Sequence, residues 1–235
     1  MAKLSRRAKT DVAVPAELDI PDLPSPLMSA LDRGLSVPTP VIVESVAKMR
    51  RAHPEESPAQ IIARLERRFL RTVTTSGAAV GMAAAIPAAG TGTAIAAVGG
   101  ETALVLSAAA VLALSLAEVY GIPLTDMEKR RTLVLSIAVG DGALYLVRGL
   151  LGKTGKSWAS FMAKDMSASS LKILNSTLTK KFLVKAGTKQ GLVTIGKIAP
   201  FGIGAVIGAS GNRVIGRRLI KNSRAILGPP PPRWW

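Results

Sequence analysis

The chain has 235 residues, with 31 Lys and Arg against 15 Asp and Glu, for a formal charge of +16. It has no cysteine, which excludes disulfides, thiolate zinc sites and a cysteine nucleophile. Its single histidine, His53, builds neither a Ser-His-Asp triad nor a multi-histidine metal site.

In chain order, residues 1–38 carry Pro15, Pro21, Pro24, Pro26 and Pro38 among scattered charges. That is the composition of a disordered arm, with room for a short helix from Pro26 to Gly34. The first twenty residues lack an apolar h-region and include acids, which predicts no secretory signal and a cytoplasmic N-terminus. Thr39-Pro40 reads as N-cap and first position of a helix ending near His53-Pro54, with His53 a solvated loop residue. Ser57-Pro58-Ala59-Gln60 is a capping box with proline at the first helical position. The helix it opens sets Ile61, Ile62, Leu65, Phe69 and Val73 on one face and Arg64, Arg67, Arg68 and Arg71 around the rest. Four arginines there form either an ordinary solvated face or a cytoplasmic flank under the positive-inside rule.

From Thr72 to Tyr120 only Glu101 and Glu118 are charged. Gly99-Gly100-Glu101 reads as a break, because consecutive glycines oppose helix and a carboxylate favours a helix N-terminus. The run is therefore predicted as a helical hairpin. Its second arm, residues 102–120, is apolar on every face and at about 1.5 Å per residue spans roughly 28 Å, enough to cross a bilayer. The first arm, with Pro87 and many glycines, is a packing surface: Gly77-x-x-x-Gly81 admits close approach of another helix. A tightly packed soluble pair is the alternative reading.

Gly121 then ends the helix at the C′ position, and Thr125-Asp126-Met127-Glu128 is read as a second capping box. The following apolar helix is interrupted at Gly140-Asp141-Gly142, where Asp141 either faces water or is a buried acid that needs a partner. GKTGKS at 152–157 resembles the end of a Walker A motif. The glycine that motif requires is replaced by Val147 or Leu150, so no nucleotide loop is predicted. Lysines at 164, 172, 180, 181, 185, 189 and 197 alternate with apolar clusters, as in short basic amphipathic helices at a membrane interface. The sequon at Asn175 is expected to be inert. Gly202, Gly204 and Gly208 miss the dinucleotide spacing, and Gly204-x-x-x-Gly208 instead makes a second small-residue face suited to Gly77-x-x-x-Gly81. Arg213, Arg217, Lys221 and Arg224 recur as one basic stripe, and PPPPRWW reads as a disordered tail or an interfacial anchor.

Two segments carry a family resemblance: LAEVYGIPLTDMEKRRTLVLSIAVG, with Tyr120, Gly121, Leu124, Asp126 and Glu128, and APFGIGAVIGASGNRVIGRRL, with Pro200, Gly204, Ala205 and Asn212. Over residues 57–227 the chain resembles the EcsC family. The pattern departs after Pro87, where Gly90, Thr91 and Gly92 stand in place of an expected acid. The resemblance implies an α-helical, membrane-associated protein similar to one encoded beside an ABC exporter. It supplies no catalytic residue.

The charge is lopsided: from Gly142 onward 16 Lys and Arg face one acid, Asp165, while residues 1–141 hold 15 and 14. A pole this basic calls for anionic lipid or nucleic acid, and with only 4% aromatics and no stacking motif, lipid is favoured. The expected architecture is an all-α bundle with a Gly/Ala-rich, membrane-associated hairpin. Residues 1–38 form the arm, 39–227 one helical domain and 228–235 the tail. The expected function is a non-enzymatic accessory to a transport or envelope process at the cytoplasmic membrane. Arg64, Arg67, Arg68, Arg71, Arg213, Arg217, Lys221 and Arg224 would touch lipid headgroups, and a transport protein is a possible partner. Neither cofactor nor metal is called for. A soluble nucleic-acid-binding protein is the alternative. A hydrolase built on acids such as Glu101, Glu118, Asp126 and Asp141 is the third reading, with Glu101, Asp141 and Asn212 the polar candidates for burial.

Overall fold

The computed structural model describes residues 25–84, 91–143, 145–146, 168–187 and 203–235, and among these the regular structure is helical, without strands. The helices are α1 (Ser25–Leu35), α2 (Thr39–Ala52), α3 (Pro58–Ala84), α4 (Thr91–Val119), α5 (Met127–Val139), α6 (Ala168–Gly187) and α7 (Ile203–Leu227).

Local chemistry sets most of their ends. At the start of α3 the Gln60 side chain reaches back to accept the Ser57 backbone N–H at 2.8 Å, while the Ser57 hydroxyl donates to the same oxygen at 2.9 Å. The cap of α5 is Asp126, not Thr125: its carboxylate accepts the N–H groups of Glu128 at 2.6 Å and Lys129 at 3.2 Å. Glu128 is thereby free to bind elsewhere. At the end of α4, Ile122 N–H donates to Ala117 C=O at 2.9 Å and Gly121 N–H to Glu118 C=O at 3.0 Å, a Schellman turn that needs the positive φ of Gly121.

The second half of α4 is the axis of the core. Val105, Ala109, Ala110, Leu112, Ala113, Leu114, Leu116, Ala117 and Val119 are buried, and the helix touches α1, α2, α3, α5 and α7. On one side α1 lies directly on its backbone. A Cβ on Gly34 would stand 2.6 Å from Ala110 Cβ and 3.0 Å from Ser107 Cα, so only glycine permits that approach. Arg130 of α5, buried to 6% exposure, holds this corner by donating to the carbonyls of Leu124, Leu35 and Val37 at 2.7–2.8 Å and to Thr39 Oγ1. The Leu35 and Val37 carbonyls lie at the end of α1 and just beyond it, where a cation offsets the negative helix terminus.

Several expectations change. Gly99 and Gly100 do not break the chain: α4 runs through them from Thr91. The helix penalty of roughly 1 kcal/mol per glycine is outweighed by packing along α4. α3 ends at Ala84 and α4 begins at Thr91, and Pro87 lies outside the described residues, as does GKTGKS. The all-round apolar character of 105–119 is met by protein on most sides, and among the described residues no helix is long and apolar enough to cross a membrane. The arm is shorter than 38 residues, since α1 buries Leu31 and Leu35 in the core.

The tail differs from the disordered expectation too. Trp234 donates its indole N–H to Glu56 C=O at 3.2 Å and stacks under Arg50, whose guanidinium lies 4.5 Å from the ring centroid. Trp235 donates to Glu118 C=O at 3.2 Å and lies against Gly121.

Candidate functional site

The most extensive helix pairing is α3 with α7, and its register is fixed by three contacts. Arg224 Nε donates to Glu66 Oε1 at 2.8 Å and its Nη2 to Oε2, a fork on a carboxylate buried to 4% exposure. Gly216 faces Leu70 and Val73, whose methyls would be 2.9 and 3.0 Å from an added Cβ. Asn212 Nδ2 donates to Val73 C=O at 2.9 Å. Residue numbers rise along α3 as they fall along α7, so the helices run antiparallel. The predicted pairing of Gly77 and Gly81 with Gly204 and Gly208 lies outside the described contacts, which end at Asn212.

This pairing places two arginine stripes beside each other. Phe69, Val73 and Leu65 of α3 turn inward, while Arg67, Arg68 and Arg71 are exposed. On α7, Asn212, Gly216, Leu219 and Ser223 are buried, while Arg213, Arg217 and Lys221 are exposed at spacings of four. Arg71 is level with the stretch between Arg213 and Arg217, and Arg67 with that between Arg217 and Lys221. Among the described residues none of these six cations forms an ion pair. Val214, next to Arg213 on α7, is 66% exposed.

Two members of the predicted headgroup set are committed elsewhere. Arg64 grips Glu56 with two hydrogen bonds of 2.6 Å, which holds the Glu56 carboxyl below its ordinary range. Arg224 serves Glu66, whose carboxylate raises the guanidinium further above its ordinary value. Both therefore stabilise the end of the helix pair and leave the outer face to the other six.

A smaller pocket of about 230 Å³ lies beside that end, lined by Ile62, Glu66, Tyr120, Arg224, Gly228 and Pro230 among others. Tyr120 Oη donates to Gly228 C=O at 2.8 Å, and burial, with the Glu66 charge adding, pushes its phenol up to about 12. Sequence reasoning missed Glu66 because a lone acid among arginines reads as a surface residue; its near-opposite charge on α7 is 158 positions away.

Among the described residues the candidate acids do not converge. Asp126 is a helix cap, Asp141 is exposed, and Glu118, at the foot of α4, is raised by burial without an acidic partner. The side chain of Glu101 lies outside the described residues. Asn212 is buried as expected, and its amide bonds the Val73 carbonyl. Among the described residues no three metal-binding side chains cluster. The sequon residue Asn175 is also buried, its amide donating to Glu128 Oε2 at 2.7 Å and accepting from Thr132. No protein-family model, curated protein or solved structure matches this chain.

Proposed function

We propose that the chain is a peripheral membrane protein whose α3/α7 face docks on anionic lipid, a non-enzymatic accessory to a transport or envelope process at the cytoplasmic membrane. The observation that carries this reading is the set of six exposed cations, Arg67, Arg68, Arg71, Arg213, Arg217 and Lys221, on two antiparallel helices with no acid paired to them among the described residues. Arginine forks match phosphate oxygens, and a cation near an anionic leaflet contributes about 1 kcal/mol. The exposed Val214 beside Arg213 favours a bilayer interface over a nucleic-acid backbone, since it offers apolar contact where phosphates and acyl chains meet. The resemblance to the EcsC family supports the membrane setting.

The test is co-flotation with vesicles. The chain floats with phosphatidylglycerol-containing vesicles at low salt, does not float with pure phosphatidylcholine, and is released as salt rises. The triple variant Arg67→Gln, Arg71→Gln, Arg217→Gln loses roughly 100-fold in partition, at about 1 kcal/mol per charge. Equal flotation of the variant, or tighter binding to duplex DNA than to anionic vesicles, overturns the reading in favour of another surface or of nucleic acid.

A further inference from the structure

Three charged side chains from three different elements meet on a cleft of about 320 Å³: Asp141 after α5, Lys181 of α6 and Arg218 of α7, with Val139, Gly142 and Asn222 completing its walls. Its geometry is built. Gly140 has φ of +74°, and an added Cβ would stand 2.6 Å from Asn222 Nδ2, so the chain turns there onto the Asn222 side chain. Asn222 is buried and donates to Ile137 C=O at 2.8 Å, which locks α7 to the last turn of α5. Asp141 is thereby held at the rim, where the chain leaves α5 at Gly140 and opens a new helical turn over 141–143. Among the described residues neither it, Lys181 nor Arg218 forms an ion pair. The cleft carries both signs of charge: one carboxylate, one ammonium and one guanidinium.

We propose that this cleft binds a small phosphate ester that also carries an ammonium group. Arg218 and Lys181 take the phosphate oxygens, and Asp141 takes the ammonium. The balance also matches. A phosphomonoester bears about −1.5 to −2 at neutral pH, so an amino-phosphate of net charge near −1 meets a cleft of one acid and two bases. This inference does not rest on the lipid-docking face, which uses none of the three charged residues.

The experiment is titration calorimetry of the full chain with phosphoethanolamine and with inorganic phosphate, followed by vesicles containing phosphatidylethanolamine. Phosphoethanolamine binds more tightly than inorganic phosphate. Arg218→Gln weakens both about tenfold, and Asp141→Asn weakens phosphoethanolamine about tenfold while leaving inorganic phosphate unchanged or tighter. If phosphatidylethanolamine vesicles compete with the soluble ligand, the natural source is a headgroup; if they do not, it is a free metabolite. No heat with phosphoethanolamine at about 10 mM, or an Asp141→Asn variant that weakens both ligands alike, overturns the proposal. Unchanged vesicle flotation by the Asp141→Asn chain separates this outcome from failure of the cationic face.

Discussion

At the level of single residues, the Glu66 and Arg224 pair is asymmetric, and the asymmetry decides which partner matters. The Glu66 side chain is 5% exposed and that of Arg224 is 65% exposed. Removing the arginine strands a buried carboxylate, whereas neutralising the acid releases a guanidinium that water can solvate. Arg224→Ala is expected to cost about 2–4 kcal/mol in urea unfolding, and Glu66→Gln about 1 kcal/mol or less. Equal costs would mean that the carboxylate is hydrated. Tyr120 gives the same corner a pH signature. Its phenol titrates near 10 when unfolded and at about 12 in the fold. Below pH 10 both states keep the proton. Between 10 and 12 the unfolded chain releases it first, so stability falls as pH rises, by roughly 1 kcal/mol for a half-buried group. Tyr120→Phe should remove that part of the alkaline slope in thermal melts, and an identical slope in the variant would count against it.

Between elements, α3 and α7 approach closely because Gly216 faces Leu70 and Val73. Gly216→Val adds three carbons where the first already meets methyls at 2.9 and 3.0 Å, and should cost roughly 1–3 kcal/mol by urea unfolding. Full retention of stability would show that the helices part freely. The sequence displayed the helices themselves, because caps and periodicity are local: Gln60 and Gly121 act as their spacing predicts, and the small-residue faces pointed towards a pairing of α3 with α7. It misplaced the hairpin turn at Gly99-Gly100, since propensity is local while the packing of 105–119 is not. It also gave Arg64 and Arg224 to the outer face, because nothing in one-dimensional spacing reveals that Glu56 and Glu66 claim them. The docked tail was invisible for a similar reason. Prolines and terminal tryptophans read as disorder, and what orders them is Arg50, the Glu56 carbonyl and the Glu118 carbonyl on distant turns.

Across the whole molecule, a formal charge of +16 with an unpaired cationic face opposes compaction through self-repulsion. Two observables should then move in opposite directions with salt. Between roughly 0.05 and 0.5 M sodium chloride the Debye length shrinks from over 10 Å to about 4 Å, so repulsion across the α3/α7 face is screened and the thermal midpoint rises. Over the same range flotation with anionic vesicles declines, since the same screening weakens attraction to lipid. The Arg67→Gln, Arg71→Gln, Arg217→Gln variant carries the argument further: at low salt it should melt higher than the native chain while binding vesicles more weakly, and its midpoint should depend less on salt. That trade is the mark of residues kept for an anionic partner at the expense of the free fold. A variant that melts lower at low salt would show instead that these arginines hold the helix pair together, and the cationic face would lose its claim to be a docking surface.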